Sequence, residues 1–264
     1  MVSFKKQLEP SHQLSLFSLP LEVPEIDRSK VTKPQPARKK ANILRDRRMT
    51  ARWRMQYGST LVGPHAVAQI APIHQVPNKL IAFSEAAECG QNSPDKEAWV
   101  HFYEDDHRFE DIWCRPEYYL KILKRFGGII APDNSVLPNM TEADKIENTR
   151  WNFFFGAWAQ RQGLNVIANV RMCGPESAPF ALAGAPQNSI ISIGIHGGAR
   201  DLEVRPITKE EVGIICATLR PAGIVAYGTD ADAYDVLIYP REQGIPVYAF
   251  KADTWTRSKW RKVA

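Results

Sequence analysis

From Asn78 onward, short apolar segments alternate with longer amphipathic segments, and this alternation decides the class of fold. Segments that are apolar almost throughout are typical of strands buried on both faces, as in a parallel sheet covered by helices. The pattern predicts strands at residues 80–84, 99–103, 128–131, 165–170, 190–195, 224–227 and 246–250. Between these strands it predicts helices at residues 108–125, 142–162, 176–183, 208–219 and 233–243.

The predicted fold is therefore α/β, with a mostly parallel sheet of about seven strands that alternate with helices. A TIM-barrel-like sheet and a partly open sheet both fit this pattern. No glycine-rich phosphate loop follows the first predicted strand, which favours the barrel over a dinucleotide-binding sheet. Two helix starts have the spacing of a capping box, one formed by Thr141 with Asp144 and the other by Thr208 with Glu211.

Polar side chains directly after the predicted strands are candidates for a functional site, because ligands of parallel α/β folds bind at the carboxyl ends of the strands. The candidate catalytic residues are Glu85, Asp105, Asp133, Arg171 and His196. The candidate ligand-binding residues are Ser135, Asn169, Gly197 and Tyr227.

These candidates also have structural interpretations, and the sequence leaves both open. The segment PDNS at residues 132–135 is typical of a turn, but Pro132 also fixes the direction of Asp133 as the chain leaves the sheet. His196 can transfer a proton or pack as a buried histidine. Arg171 suits a phosphate or carboxylate ligand, and it suits a salt bridge to a neighbouring acid equally well.

A divalent cation is one option for this predicted site. Carboxylates from separate segments are the ligands that hard cations prefer, and the candidates are Glu85, Asp105, Asp106 and Asp133. The alternative is that the acids of HFYEDDHRFED only stabilise the start of a helix. No motif with a fixed ligand spacing is present, so the sequence assigns no metal.

Positive charge is concentrated in one segment of the chain. Residues 30–54 contain ten Lys or Arg and one acid, Asp46, which gives this segment a charge of +9 within a total of +5. The remainder of the chain is therefore mildly acidic, at −4 by subtraction. Such a segment is typical of contact with the phosphate backbone of nucleic acid, and a solvated or subunit-embracing arm is the alternative. The predicted nucleic-acid-binding residues are Arg38, Lys39, Lys40, Arg45, Arg47, Arg48, Arg52 and Arg54.

Composition along the chain suggests four parts. We predict a proline-rich basic arm at residues 1–57, a linker at 58–76, the α/β domain at 77–250 and a basic tail at 251–264. The N-terminus lacks the apolar centre of a signal peptide and no long apolar segment occurs, so we expect no membrane association and a cytoplasmic location. The four cysteines are widely spaced without a C-x-x-C pair, so neither a zinc knuckle nor a disulfide framework is expected.

An ordered series of segments within residues 77–230 resembles an uncharacterised domain family found in bacteria, plasmids and phages. The segments here include GGIIAPDNS, NVIANVR, IGIHG and IVAYG. The matching positions are Gly127, Gly128, Pro132, Asp133, Ser135, Asn169, Arg171, Gly194, His196, Gly197, Tyr227 and Gly228. The resemblance implies a phage or mobile-element context, and so the host cell as location, but it implies no reaction.

These observations lead to three hypotheses. The first is a nucleic-acid-associated protein of a phage or mobile element, whose strand-end site binds a phosphate-containing ligand and is a candidate for catalysis. The second is a barrel-type small-molecule hydrolase or transferase that uses Asp133 and His196. The third is a noncatalytic virion or assembly component, whose arm embraces neighbouring subunits of a homo-oligomer. The sequence does not decide whether the protein is an enzyme.

Overall fold

The computed structural model describes residues 51–88, 95–196, 201–228 and 235–252 of the chain. Most of the predicted basic arm and the predicted tail after residue 252 lie outside the described residues. Gly197 and the first two residues of the last predicted helix also lie outside them.

The described chain begins with a helical segment at residues 51–56, followed by a small antiparallel hairpin of β1 (Leu61–Val62) and β2 (Val67–Ala68). Ala51 and Met55 of the helical segment are fully buried. The segment that follows the hairpin, within the predicted linker, runs against the main sheet, where Ile190 N donates to Ile73 O at 2.8 Å. This part of the chain is therefore packed onto the α/β body.

Within the described ranges, seven parallel strands form one sheet, and their order in the sheet is their order in the sequence. The strands are β3 (Lys79–Ala82), β4 (Ala98–His101), β5 (Gly128–Ile130), β6 (Val166–Asn169), β7 (Ile190–Gly194), β8 (Gly223–Gly228) and β9 (Val247–Lys251). Crossovers between parallel strands are right-handed, so a chain that always moves to the next strand keeps its helices on one face. The sheet therefore curls into a nearly closed barrel, and the predicted α/β fold is confirmed.

The helices between the strands cover the outer face of the sheet. They are α1 (Phe83–Glu88), α2 (Pro116–Leu123), α3 (Glu142–Arg161), α4 (Ala178–Ala181), α5 (Arg205–Leu219) and α6 (Ile238–Glu242). Short 3₁₀ turns precede several of them, at Asp106–Arg108, Glu110–Trp113, Pro175–Ser177 and Asp235–Leu237. The predicted long helix at 108–125 is therefore divided, and its α-helical part begins at Pro116, because proline is favoured in the first turn and not inside a helix.

One of the two predicted helix starts is confirmed and the other is wrong. Thr141 is the N-cap of α3, and its hydroxyl oxygen accepts from Asp144 N at 3.3 Å. Thr208 lies inside α5, which begins three residues earlier at Arg205, and its hydroxyl donates back to Val204 O at 3.3 Å. Proline in the first turn of α5 allows this earlier start, and a threonine inside a helix commonly makes such a back-bond.

The inner face of the sheet carries an apolar cluster, which we call the apolar layer. Its members are Trp99, Ile130, Ile167, Ile190 and Val225, contributed by five neighbouring strands. Trp99 fills much of this space, and only glycine fits beside it. A Cβ atom on Gly128 would lie 2.6 Å from two ring carbons of Trp99 and 2.7 Å from Asn165 O. The glycine pair at residues 127–128 is therefore required by the packing of a tryptophan from the neighbouring strand.

Candidate functional site

A hydrogen-bonded network lies next to the apolar layer, towards the carboxyl ends of the strands. We call it the polar layer and define it as Tyr103, Asp133, Asn169, Arg171 and Ser192. Tyr103 OH donates to Asn169 Oδ1 at 2.9 Å and lies 2.7 Å from Ser192 Oγ. The Ser192 hydroxyl also donates to a backbone carbonyl of β8, at 3.0 Å. Three segments of the barrel are thus joined through one tyrosine hydroxyl.

The carboxylate of Asp133 is held by two donors from the end of β6. Asn169 Nδ2 donates to Asp133 Oδ1 at 2.8 Å, and Arg171 Nη1 donates to Asp133 Oδ2 at 2.7 Å. Asn169 Nδ2 also donates to Pro132 O at 3.1 Å. Because Tyr103 donates to the other end of the same amide, Asn169 is fixed with its amino group towards Asp133. The carboxylate therefore has one defined orientation.

The network changes the proton affinity of two of its members. Burial, followed by the negative charge of Asp133, raises the pKa of Tyr103 well above its ordinary value, so this hydroxyl stays a neutral donor. The Asp133 carboxylate raises the pKa of Arg171, which overcomes the opposing effect of burial. Arg171 thus keeps its positive charge inside the site.

Aromatic rings line the floor of the site. Tyr103 and Tyr227 stack with ring centroids 4.7 Å apart, and the ring of His101 lies 4.4 Å from that of Tyr227. His101 Nδ1 accepts from the backbone N–H of Tyr103 at 3.2 Å. Gly194 gives room to this floor, since a Cβ there would lie 2.8 Å from the Tyr103 ring.

A cavity of about 900 Å³ opens above the polar layer, within the size range of small-molecule sites. Its acidic lining residues are Glu104, Asp105, Asp133, Glu176, Glu210 and Glu211. Its basic lining residues are Arg108, Lys145 and Arg171, and His196 also lines it. With histidine neutral, the described lining has six carboxylates against three cations, or a formal charge of −3.

Most of the predicted site residues meet at this cavity. Six of them line it, namely Asp105, Asp133, Ser135, Arg171, His196 and Tyr227. Asn169 lies beneath them, bonded to Asp133. Glu85 is not among the lining residues, because β3 ends at Ala82 and Glu85 lies in the first turn of α1. Their roles stay predictions, and Gly197 lies outside the described residues.

The segment PDNS combines the two interpretations that the sequence left open. Ser135 N and Ser135 Oγ both donate to Asp106, the side chain at 3.0 Å. Asn134 donates to Asn152 Oδ1 of α3 through its backbone and through its side chain. These bonds anchor the turn on both sides, so Asp133 is presented to the cavity from a fixed backbone.

The four carboxylates that the sequence offered as candidate ligands of a divalent cation do not form a cluster. Among the described residues, no group of three or more His, Cys, Asp or Glu side chains could hold a metal ion. Asp106 is occupied by Ser135, and Asp133 by Arg171 and Asn169. The neighbouring Glu104 instead accepts from both the N–H and the hydroxyl of Ser84 at the start of α1.

Three members of the site are additional to those that the sequence suggested. The sequence pattern could have predicted Tyr103, because it follows Trp99 and His101 at two-residue steps on one face of the predicted strand. Ser192 lies inside an apolar strand and not after its end, so the rule that selects polar residues at strand ends does not find it. Glu211 lies on α5, accepts from Gly174 N at 2.6 Å and lines the cavity, and only tertiary packing brings it there.

Two of the predicted nucleic-acid-binding residues are engaged by the body. The guanidinium of Arg52 lies 4.1 Å above the ring of Trp151 and pairs with Glu147 at 3.3 Å. Arg54 pairs with Glu117 at 3.0 Å but stays more than half exposed. Arg38, Lys39, Lys40, Arg45, Arg47 and Arg48 lie outside the described residues.

The curled parallel sheet, with a cavity at the carboxyl ends of its strands, places the chain in the class of α/β-barrel folds. The chain belongs to a family described as a domain of unknown function, DUF4417, whose model matches residues 59–240.

Two curated relatives, both called "Gene 1 protein", come from mycobacteriophages. The protein of Mycobacterium phage L5 is 31% identical over 149 residues, which cover 53% of this chain and 64% of that protein. The protein of Mycobacterium phage D29 is 26% identical over 129 residues, which cover 49% of this chain and 48% of that protein. The chain thus spans less than two thirds of either relative, and no solved structure matches it.

The relatives agree with the predicted phage context. Of the helices that the structure describes, none has both the length and the apolar character needed to cross a membrane.

Proposed function

We propose that this is a phage-type, nucleic-acid-associated protein whose barrel binds a small polar ligand at the carboxyl ends of its strands. The observation that carries this proposal is the fixed Asp133 carboxylate at the base of the cavity. A carboxylate oxygen has more than one acceptor site, and each Asp133 oxygen receives one donor from the polar layer. Asp133 can therefore accept a further hydrogen bond from a ligand hydroxyl or amine.

The charge of the lining bears on the class of ligand. The phosphate group that the sequence predicts would be attracted by Arg108, Lys145 and Arg171 and repelled by six carboxylates. Arg171 is in addition already paired with Asp133. This balance favours a neutral, hydroxyl-bearing ligand, and the cavity volume suits one of nucleoside size. The phosphate-containing ligand stays a prediction, and the experiment below compares the two classes directly.

Catalysis at this site is the second candidate function. Asp133 and His196 line the same cavity, as a hydrolase or transferase that uses an acid–base pair requires. The two groups come from the ends of different strands, which is the usual origin of catalytic residues in barrels. Turnover of a bound nucleoside by the wild-type protein, lost on substitution of either residue, would support this candidate.

The cavity is tested by titration calorimetry of the full chain with four nucleosides and their 5′-monophosphates. We expect a nucleoside to bind at least as tightly as its monophosphate, and Asp133→Asn to weaken that binding about tenfold, because the amide cannot reproduce both acceptor oxygens. The matched control is Asp95→Asn, the same change at the amino end of β4, which should leave affinity unchanged. Tighter binding of the monophosphates would restore the phosphate prediction, and binding of neither class would reject a nucleoside-like ligand.

The association with nucleic acid is supported by the charge of residues 30–54. Arg52 and Arg54 are engaged by the body, so the other eight of the ten basic residues are the proposed phosphate contacts. We expect full-length protein to bind nucleic acid with a steep salt dependence. Replacing Arg38, Lys39, Lys40, Arg47 and Arg48 by Gln should lower the slope of log affinity for duplex DNA against log salt by up to about 4.5, since each phosphate contact contributes roughly 0.9. An unchanged slope would contradict the proposed role of the segment.

A further inference from the structure

Two large aromatic side chains are unusually exposed at the start of the described chain. Trp53 is 70% exposed and Tyr57 is 88% exposed. Leaving such side chains in water forfeits the free energy that burial would provide, about 1.5–3 kcal/mol for a large apolar side chain. Trp53 and Tyr57 are four residues apart, and Tyr57 N donates to Trp53 O at 3.1 Å, which is a helical bond. Both rings therefore project from the same face of one helical turn. We call this pair the aromatic face.

The aromatic face is fixed to the body of the protein. The opposite side of the helical segment is anchored by Ala51 and Met55, which are fully buried. Arg161 of α3 donates to Met55 O at 2.8 Å and to Tyr57 O at 3.1 Å. Arg52 adds its contact with the Trp151 ring. The exposure of Trp53 and Tyr57 is thus set by how the segment is docked, since its other face is the buried one.

The chain around the aromatic face indicates the chemistry of its partner. In the sequence, the aromatic face overlaps the end of the basic segment at residues 30–54, whose charge is +9. Arg54 lies between Trp53 and Tyr57 in the sequence. Positive charges that neighbour exposed aromatic rings in the sequence suit single-stranded nucleic acid, because charges can follow its backbone while rings stack on its unpaired bases. In a duplex the bases are already stacked on one another and their faces are not available to a side chain.

We infer that Trp53 and Tyr57 form a stacking surface for the unpaired bases of single-stranded nucleic acid. This inference rests on the proposed association with nucleic acid, and it adds the class of nucleic acid and the residues that distinguish it. A separation of four residues places the two Cα atoms about 6 Å apart along the helix axis. The basic segment supplies affinity for any polyanion, whereas the aromatic face supplies the preference for unpaired bases.

The test compares leucine and phenylalanine substitutions in the full-length protein. Fluorescence anisotropy is measured with a labelled oligothymidylate and with a labelled duplex of equal length at one salt concentration. Trp53→Leu and Tyr57→Leu keep an apolar side chain but remove the ring, and each should weaken binding of the single strand about tenfold. The matched controls Trp53→Phe and Tyr57→Phe keep a ring and should retain most of the affinity. Binding of the duplex should change less than about twofold in all four variants, since only phosphate contacts hold it.

Each result has a defined meaning. If the leucine variants bind the single strand as tightly as wild type, the inference is overturned while a salt-dependent association through the basic segment stands. If leucine and phenylalanine variants lose binding equally, or if the leucine variants instead change the self-association measured by analytical ultracentrifugation, the face binds protein and the inference is again overturned. If wild type binds neither probe, even when the measurement is repeated at low salt, the proposed association with nucleic acid itself fails. Equal thermal unfolding of the four variants and wild type, which exposure predicts, shows that folding does not cause the loss.

Discussion

The apolar layer and the polar layer of the barrel interior are built by the same strands with opposite side-chain chemistry. In β6, Ile167 belongs to the apolar layer, and Asn169, two residues further on the same face, belongs to the polar layer. In β8, Val225 lies in the apolar layer, whereas Tyr227 stacks on Tyr103. The first layer is stabilised by excluding water, and the second must satisfy each buried donor and acceptor. The contrast implies that stability is concentrated towards the amino ends, which leaves the carboxyl ends able to carry a charged cavity.

Removing the largest member of the apolar layer should have the largest effect. Trp99 is 4% exposed and fills the space beside Gly128. We expect Trp99→Ala to lower the free energy of unfolding by about 3–5 kcal/mol, through lost burial and the cavity that remains. Chemical denaturation measures this loss. The matched control is Trp53→Ala, since that tryptophan is mostly exposed and its loss should change stability by less than about 0.5 kcal/mol. Equal losses in both variants would contradict the division into layers.

Substitutions in the polar layer should lower the free energy of unfolding less than Trp99→Ala does, and their effects should depend on one another. Arg171→Met removes one of the two donors to Asp133 and leaves a carboxylate that is nearly buried. We expect a loss of about 1–2 kcal/mol, less than for a fully buried pair, because the Arg171 side chain is 34% exposed and water screens its charge.

A double-mutant cycle isolates this interaction. Asp133→Asn in the Arg171→Met background should cost less than in the wild type, because the unpaired charge has then been removed. Denaturation of the four proteins at one pH gives the coupling free energy. Additive effects would mean that Arg171 and Asp133 do not stabilise each other, and the polar layer would then be a set of independent hydrogen bonds.

The difference between the layers also explains which parts of the site could be predicted. The apolar strands are a local signal, because nearly every residue of the five central strands, β4 to β8, is buried. Their order in the sheet follows from short crossovers. Asp133, Arg171 and His196 follow directly from the ends of such strands. Glu85 was assigned by the same rule, but β3 ends earlier, at Ala82, and Glu85 lies in the helix that starts at Phe83.

The remaining site residues depend on contacts between distant parts of the chain. Ser192 is an isolated polar residue in an apolar strand, and only its approach to Tyr103 makes it part of the network. Glu211 reaches the cavity because α5 packs near Gly174, which is a contact across 37 residues. Neither contact leaves a periodic pattern in the sequence. Local signals therefore predict the strands and their ends, whereas the partners within the polar layer require the folded chain.

The smallest expected effect concerns Glu211, an acid of the cavity wall that lacks a close cationic partner among the described contacts. Burial raises the pKa of Glu211 above its ordinary value of 4.5, whereas the hydrogen bond from Gly174 N and the positive charge of Arg171 oppose this. The neighbouring Glu176 raises the pKa further. The folded protein therefore holds this proton more tightly than the unfolded chain does. As a result, the free energy of unfolding should fall as pH rises from 4.5 through the raised pKa of the folded state.

Glu211→Gln removes this titration but keeps an oxygen that can accept from Gly174 N. We expect the free energy of unfolding of the variant to match that of wild type below pH 4.5. As pH rises from 4.5 through the raised pKa of the folded state, the variant should become the more stable protein, and above that pKa the difference should stay constant. Urea denaturation across a pH series measures the difference. If Glu211→Gln is instead less stable than wild type at neutral pH, Arg171 stabilises the ionised Glu211 carboxylate. The charge of Glu211 would then not be unfavourable, and the cavity wall would favour a neutral ligand over a phosphate less strongly.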